Sequence, residues 1–301
     1  MSQALNSDQA AGPLHRICPG FIAVGPPITT GTSQLQHGTV DGRAVIAKHP
    51  TDLRPWWQDR CRQEITVYRA LADNPPPITV PELVAADVDA PLLILTRVPG
   101  GPLHPDRYPP AGTVSADAVT RLLHTLDRLH QWPLGRQRGL FPDDSDYQQQ
   151  INALPDDLLT TDAKDRLIRL FGIAGIGLQL THGDAHLGNA INTSAGTETC
   201  TEIGTALIDL ELTAVRPRGY DEAQLFTFLA DNPTARDLVS LIPGGRDLQA
   251  GFWLAVVLVT CREIVSHRRH ANLPCREHRL ARLRADLALA TDRCHALTNT
   301  P

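Results

Sequence analysis

Two short polar segments in the second half of the chain carry the residue types of a magnesium–nucleotide site. Residues 182–189 read HGDAHLGN, in which Asp184 is followed five residues later by the amide Asn189, and Asp209 follows an apolar run twenty residues further on. Mg²⁺ takes few oxygen ligands from a protein and keeps water and phosphate oxygens in its other positions. The spacing predicts Asn189 and Asp209 as metal ligands and Asp184 as the group that accepts or orients a hydroxyl proton.

The octapeptide alone has a structural alternative, a turn in which the side chains of Asp184 and Asn189 bond only backbone amides. His182 is predicted to brace the loop rather than to carry a proton. The sequence has neither a GxSxG nor a GxGxxG segment. Acyl transfer and dinucleotide binding therefore lack their usual anchors.

Lysine is rare in this chain, since Lys48 and Lys164 are the two lysines among 28 basic residues. Arginine supplies positive charge everywhere else, so each lysine is a candidate for a specific role, with coding bias as the alternative. Lys48 ends the apolar segment AVIAK, which is typical of a buried strand.

The elements that would position these residues fall into two groups. Residues 21–48 alternate between β-rich runs and turns, and Asp41-Gly42 is a strong hairpin signal. An amphipathic helix is predicted over 56–71 and two short strand regions within 78–98. The Pro/Gly-rich residues 99–103 predict a hinge.

Most of the chain beyond this hinge is predicted to be helical. A helix follows Ser115, its expected N-cap, and a helix over 248–269 is apolar nearly all round. The last helix, over 275–297, has a leucine-rich inner stripe, and its arginines are expected to face water. Two short strands with polar turns are predicted around 178–193 and 205–213, inserted among the helices.

HGDAHLGN resembles the HGDxxxxN motif of the aminoglycoside phosphotransferase and choline kinase-like family, which phosphorylates small molecules. AVIAK resembles the family strand whose lysine holds the α and β phosphates, so Lys48 takes that role, with Glu64 as its ion-pair partner. TALIDLELT resembles the metal-binding strand ending at Asp209. The resemblance covers roughly residues 20–297.

This resemblance implies an α+β, two-lobed protein kinase-like fold. A small N-terminal antiparallel sheet with a helix would occupy residues 1–98. A larger, mainly helical C-terminal lobe over 99–301 would carry the catalytic loop, the metal site and the acceptor-binding helices.

Further site residues follow from the same resemblance. In PLLILTRVPGG, Leu95 would lie behind the adenine, the carbonyl of Thr96 would accept from it and the amide of Val98 would donate to it. A turn expected to cover the phosphates, with a plain hairpin turn as the alternative, comprises Thr30, Gly31, Thr32 and Ser33. Asp221 and Glu222 are candidates for acceptor binding, and a structural cap is the alternative for Asp221.

The distribution of charge bears on the acceptor. Residues 99–230 hold 10 basic and 17 acidic residues, a net charge of −7 within a chain of net charge −5. An acidic segment argues against a nucleic-acid groove and favours a cationic ligand, although a solvated acidic surface explains it equally well.

The sequence and the resemblance together predict ATP-dependent, Mg²⁺-dependent phosphorylation of a small-molecule hydroxyl, with GTP left open as the donor. Inactivation of an aminoglycoside or a cationic peptide antibiotic is preferred. A metabolic kinase for choline, another amine or a sugar would share every motif. A nucleotide-binding pseudokinase is the alternative that lacks catalysis. The acceptor, the hydroxyl that is phosphorylated and the oligomeric state stay open.

Composition predicts a folded, cytoplasmic protein. Apolar residues make up 42% of the 301 residues and charged residues 20%, values typical of a globular domain. The six cysteines are scattered, no signal peptide is evident, and the longest apolar run is about half the roughly 20 residues that a membrane span requires. We expect no nucleic-acid, membrane or obligate protein partner.

Overall fold

A computed structural model of the chain describes residues 7–193, 204–241, 244–270 and 275–299. The chain divides into two compact units. The first contains the residues up to Gly101, Gly139–Phe141 and Ile191–Thr213, and the second contains Pro102–Arg138, Pro142–Ala190 and the residues from Ala214 onward. The main division thus follows Gly101 rather than Val98. The segment that carries Asp209 belongs to the first unit, whereas the sequence placed it in the second lobe.

The elements follow one another with short connections. The helices are α1 (Ser7–Ile17), α2 (Pro55–Asp73), α3 (Ala116–His130), α4 (Tyr147–Asn152), α5 (Thr161–Ala174), α6 (Tyr220–Phe228), α7 (Pro233–Ser240), α8 (Arg246–Arg269) and α9 (Arg276–Asn299). The strands are β1 (Ile22–Ala23), β2 (Ile28–Thr29), β3 (Ser33–Val40), β4 (Arg43–Pro50), β5 (Leu83–Asp87), β6 (Leu92–Thr96), β7 (Gly101–Pro102), β8 (Leu178–Thr181), β9 (Ala190–Asn192), β10 (Thr205–Leu207) and β11 (Ala214–Pro217).

An antiparallel sheet forms the first unit. Its strands lie in the order β1-β3-β4-β6-β5, and β2 pairs with β3. The tight turn between β3 and β4 has a positive φ at both central residues, 50° at Asp41 and 77° at Gly42. Asp-Gly accepts this left-handed geometry, which matches the twist of the flanking strands. The predicted hairpin is confirmed.

Two helices pack on this sheet. The predicted helix α2 begins at Pro55 and packs against β4, β5 and β6, with Ile65 and Tyr68 among its buried residues. Helix α1 was not predicted, because Gly12-Pro13 is a helix-breaking signal. Its Leu14 is nevertheless buried in the core cluster beside β4 and β6, so tertiary packing stabilises a helix that local propensity does not favour.

The segment around β10 is attached to the first unit through a backbone contact. The amide of Leu207 donates to the carbonyl of Thr79 at 3.0 Å, and Thr79 forms a parallel bridge with Ala206. A three-stranded sheet has the order β10-β9-β7. These contacts explain why the segment belongs to the first unit, although more than a hundred residues separate β10 from its backbone partner Thr79 in sequence.

The second unit is mainly helical, as predicted. Ser115 caps α3, since its hydroxyl accepts from the amide of Ala118 at 3.1 Å. By length and composition α8 could cross a membrane, but 72% of its most apolar window is buried inside the protein, as in a core helix. Helix α9 packs against α8. The expectation that every arginine of α9 faces water is wrong for Arg279, which is only 6% exposed.

Strands β8 and β11 form an antiparallel pair in the second unit, with Thr181 opposite Ala214 and Leu178 opposite Pro217. The motif segment 182–189 follows β8 directly and ends in a short 3-10 turn at Leu187–Asn189. The strand pair therefore gives the loop a rigid starting point.

Candidate active site

One lysine lies among three carboxylates in the first unit. The Nζ atom of Lys48 is 2.8 Å from Glu64 Oε2, 2.5 Å from Asp209 Oδ1 and 2.9 Å from Glu211 Oε2. The expected ion pair between Lys48 and Glu64 is present. Glu211, two residues after Asp209 in the segment TALIDLELT, belongs to the same cluster.

Three elements hold this cluster in place. Lys48 lies on β4, opposite Leu93 of β6, and only 12% of its side chain is exposed. Glu64 lies on the inner face of α2, where its side chain is 1% exposed. Asp209 follows β10 with a left-handed backbone, φ 63°, which is uncommon for a residue other than glycine and recurs at functional sites.

The charges of the cluster favour binding of a cation. Burial alone would lower the pKa of Lys48, but the carboxylates of Asp209, Glu64 and Glu211 raise it well above its ordinary value. Burial raises the pKa of Glu64 to about 7 against the opposing effect of the Lys48 ammonium. Once Glu64 is ionised, one ammonium among three carboxylates leaves a formal charge of −2, which a divalent cation would neutralise.

The ligand geometry fits a metal ion. Glu64, Asp209 and Glu211 each offer a carboxylate oxygen, and these oxygens lie within 4.8 Å of one another, the one such group found among the described residues. Glu64 Oε1 is buried without a hydrogen-bond partner, and the Asp209 side chain is 36% exposed. Hard oxygen ligands of this kind suit Mg²⁺. The structure thus places Asp209 in a group that could hold the predicted metal.

The motif loop lies in the second unit and is held by its own side chains. His182 is buried, and its Nδ1 accepts from the amide of Asp184 at 3.2 Å. Asn189 Nδ2 donates to the carbonyl oxygen of Asp184 at 3.0 Å. His182 thus lies where a loop-bracing residue is expected, and Asn189 ties the two ends of the loop together.

Side chains of helix α6 also hold the loop, through hydrogen bonds to its backbone. Asp221 accepts from the amides of His182 and Gly183 at 2.8 and 2.9 Å. Gln224, one turn later, accepts from the amide of Ala185 at 3.0 Å and donates to the carbonyl of Gly183 at 2.7 Å. Sequence analysis missed Gln224, although the i, i+3 spacing of two polar residues at the start of an apolar helix was a signal for it.

Asp221 and Glu222 are also paired with His130 of α3. His130 Nε2 is 2.9 Å from Asp221 and its Nδ1 is 3.4 Å from Glu222. Burial opposes protonation of His130, but Glu222 and Asp221 outweigh it and raise its pKa to about 10. Asp221 is fully buried, so it offers no surface to an acceptor. The acceptor-binding hypothesis is therefore wrong for Asp221. Glu222 contacts the same histidine, His130. Asp221 does not cap α6 either, because the N-cap of this helix is Gly219.

An arginine that the sequence did not single out binds the central aspartate. Arg107 donates through Nη1 and Nη2 to the two carboxylate oxygens of Asp184, at 2.9 and 2.7 Å, and His186 Nε2 lies 3.6 Å away. Burial would raise the pKa of Asp184, but Arg107 and His186 hold it well below its usual range. Asp184 is therefore an anion at any ordinary pH and can accept a hydrogen bond.

A family assignment follows from comparison with known sequences. A sequence model described as the phosphotransferase enzyme family, APH, matches residues 26–250 of the chain, well over half of its length. The chain belongs to this phosphotransferase family. No curated protein sequence matches the chain closely enough to be called a relative.

Solved structures resemble the phosphotransferase in fold. Aminoglycoside 2'-phosphotransferase-IIIa, in a GDP complex, has a TM-score of 0.61 at 16% identity, with 95% of this chain and 99% of that chain covered. A choline/ethanolamine kinase family protein from Mesorhizobium loti gives 0.60 at 14% identity, covering 99% and 96%. A microcompartment-associated aminopropanol kinase gives 0.60 at 16%, covering 97% and 98%. At these identities the likeness establishes the kinase-like fold.

The remaining nucleotide candidates of the phosphotransferase lie in the first unit. The predicted phosphate turn is a hairpin turn between β2 and β3, in which the Thr30 hydroxyl donates to the Ser33 carbonyl at 2.9 Å and accepts from its amide. Gly31 and Thr32 form its tip. Leu95 and Thr96 end β6, and the Thr96 hydroxyl accepts from the amide of Glu82 at 2.8 Å. Val98 follows the strand.

Proposed function

We propose that this phosphotransferase moves the γ-phosphate of ATP, held with Mg²⁺, to a hydroxyl group of a small molecule. The observation that carries the proposal is the Lys48 ammonium buried beside Asp209 and Glu211. A nucleoside triphosphate is positioned by a compact ammonium that binds phosphate oxygens and by nearby carboxylates that bind the metal ion. The family assignment supports the same reaction class.

The residues of the first unit would bind the nucleotide. Lys48, held by Glu64, would donate to the α and β phosphates, and Asp209 with Glu211 would hold Mg²⁺. The metal, when bound, would neutralise charge on the phosphate oxygens. Asn189 is proposed as a further ligand through its carbonyl oxygen, since its Nδ2 is already used within the loop.

The adenine is proposed to lie beside the end of β6, with Leu95 behind it and the backbone of Thr96 and Val98 bonding its edge. The turn of Thr30, Gly31, Thr32 and Ser33 is proposed to cover the phosphates. ATP is the preferred donor, and GTP is tested beside it because backbone contacts alone do not decide between the two bases.

Asp184 is proposed to orient the acceptor hydroxyl. Oδ2 of Asp184 accepts from Arg107 and also from Asn189 Nδ2 at 3.4 Å, whereas the hydrogen bond described at Oδ1 is the one from Arg107. Oδ1 therefore keeps a lone pair to which a hydroxyl can donate. An anion with a depressed pKa is a weak base. It therefore suits a loose transition state, in which alignment of the hydroxyl matters more than early removal of its proton.

The net charge of residues 99–230 makes an aminoglycoside or cationic peptide antibiotic one candidate acceptor, and an amine or sugar metabolite is the alternative. Several acidic residues of that segment are already paired within the protein. These pairs are Asp144 with Arg216, Asp156 with Lys164, and Asp157 with Arg268. An acceptor screen should therefore include compounds that carry no positive charge.

The test is ATP or GTP consumption by the full chain with Mg²⁺ against panels of aminoglycosides, cationic peptide antibiotics, macrolides, sugars, amines and hydroxy acids. We expect turnover with one panel and a kcat at least about a hundredfold lower in Asp184→Asn. Tight nucleotide binding without turnover on any panel would instead support a pseudokinase. No nucleotide binding at all would refute the proposal.

A further inference from the structure

A cavity of about 850 Å³ lies in the second unit, between the 106–111 segment and the facing ends of α8 and α9. Its charged lining is mixed. It includes Arg107, Arg279 and Arg282, and also Asp106, Asp231 and Glu263. The question is which of these charges have partners within the protein.

Most of them do. Asp231 is 2.9 Å from His278 Nε2 and 3.0 Å from Arg282 Nε. Glu263 accepts a hydrogen bond from the hydroxyl of Tyr108 and lies 3.9 Å from Arg107. Asp106 is largely exposed and lies 4.0 Å from His104. The carboxylates of the cavity are therefore paired or solvated.

Arg279 is the exception. Its guanidinium is stacked over the ring of Tyr108, 3.7 Å from the centroid, and the residue is 6% exposed. Its Nη1 is buried without a hydrogen-bond partner, and no carboxylate of the described residues lies within 4.0 Å of it. Burial lowers its pKa below the ordinary value of arginine, although Tyr108 and the nearest carboxylates oppose this.

A buried guanidinium without an anion is costly, because desolvation of the charge is not offset by an ion pair or by charged hydrogen bonds. Its flat fork of donors matches the two oxygens of a carboxylate or a phosphate. A ligand that brings such an oxyanion into the cavity would supply the partner that the protein lacks.

The cavity also adjoins the centre of the proposed reaction. Arg107 lines it and binds both carboxylate oxygens of Asp184. A molecule in the cavity is thus one side chain away from the group that would orient the acceptor hydroxyl.

We propose that this cavity is the acceptor subsite and that Arg279 binds a carboxylate or phosphate of the acceptor. The acceptor is then a hydroxyl compound that carries an oxyanion, rather than a polycation. This inference rests on the proposed phosphotransfer, but the oxyanion site can be measured without turnover.

The binding test uses inorganic phosphate and lactate as probes, with ethanolamine as the cationic comparison, by calorimetry and thermal shift of the full chain at constant ionic strength without nucleotide. We expect phosphate, lactate or both to bind and to raise the melting temperature of the unsubstituted protein, and ethanolamine to do neither. Response to one of the two anions tells a phosphate acceptor from a carboxylate acceptor.

Arg279→Met keeps an unbranched apolar stem and should weaken anion binding at least about tenfold, while Arg279→Lys should restore part of it. The matched control is Arg284→Met, at an exposed arginine of α9 that does not line the cavity, and it should change binding little. If neither anion stabilises the unsubstituted protein, or if Arg279→Met binds them equally well, the oxyanion site is refuted. That conclusion holds even if an arginine variant fails to fold, because the first measurement needs no variant.

Turnover separates the two proposals. If hydroxy acids or phosphorylated sugars consume ATP and Arg279→Met raises their KM, both stand. If the anions bind at Arg279 but no compound is phosphorylated, the proposed function fails while the oxyanion site stands. Phosphorylation of an aminoglycoside with unchanged KM in Arg279→Met would sustain the function and overturn the anionic acceptor.

Discussion

Lys48 is the residue on which the nucleotide half of the site depends. It is a compact ammonium within 3 Å of three carboxylates, on a strand that otherwise buries only apolar side chains. Lys164, the other lysine, is likewise buried and paired, with Asp156 at 2.7 Å and with backbone carbonyls. In this arginine-rich chain both lysines thus occupy sites where a compact cation meets several acceptors.

Lys48→Ala should lower kcat/KM at least about a hundredfold, the usual loss when a preorganised charge on a reacting group is removed. Lys48→Arg should restore activity only in part, because a planar fork cannot replace an ammonium among three carboxylates. Arg43→Ala, on the same strand but in an exposed pair with Glu82, is the control and should keep full activity. Full activity of Lys48→Arg would show that the cluster does not need an ammonium.

Asp184→Asn should lower kcat by roughly 10²-fold or more, the range for a positioned acid–base group. Nucleotide affinity should change little, because Asp184 is not part of the lysine–carboxylate cluster and Asn189 Nδ2 bonds its backbone carbonyl, which the substitution keeps. Steady-state kinetics and calorimetry with the Mg²⁺–nucleotide measure the two effects. Asp143→Asn, an exposed change in the same unit, is the control. A parallel loss of nucleotide affinity would place Asp184 among the metal ligands instead.

At the scale of elements, the motif loop is rigid because α3 and α6 hold it through a buried charged network. The Asp221 carboxylate joins two loop amides to His130, whose pKa is raised to about 10. The folded-state pKa lies above the ordinary value of 6.5. The stabilisation by His130 is therefore fully present below about pH 6.5 and is lost as the pH rises towards about 10.

His130→Asn should accordingly destabilise the protein most at pH 6 and progressively less towards pH 10, as followed by urea unfolding across that range. The control is His124→Asn, at an exposed histidine of the same helix, which should lower stability only slightly. A constant difference between His130→Asn and the unsubstituted protein across the range would mean that His130 is not charged in the folded state.

Local signals predicted the elements that carry their own pattern. The Asp-Gly turn gave the β3–β4 hairpin, and apolar spacing of three and four gave α2, α3 and α9. The same periodicity could not place Arg279, because it identifies the apolar face of a helix but not what packs over its edge. Tyr108, more than 150 residues away in sequence, covers that edge and buries the guanidinium.

For the whole molecule, the sequence predicted which residue types form the site but not which of the two units each residue belongs to. Lys48, Glu64 and Asp209 could be matched to motifs, and they do lie in one cluster. Glu211 and Arg107 could not, because their contacts span about 160 and 80 residues and depend on how distant segments pack. The net charge of residues 99–230 was a weak guide to the acceptor, because several of its acidic residues form ion pairs within the protein.

The central claim is that the Lys48 cluster holds a Mg²⁺–nucleotide. Calorimetry of ATP binding to Asp209→Asn, with and without Mg²⁺, tests it most directly, because asparagine tolerates the left-handed backbone of Asp209 while losing its charge. Asp41→Asn, the same change at another left-handed position in an exposed turn, is the matched control. We expect Mg²⁺-dependent ATP binding in the unsubstituted protein and in Asp41→Asn, and at least about a tenfold loss in Asp209→Asn. Equal, Mg²⁺-dependent affinity in all three proteins would contradict the account.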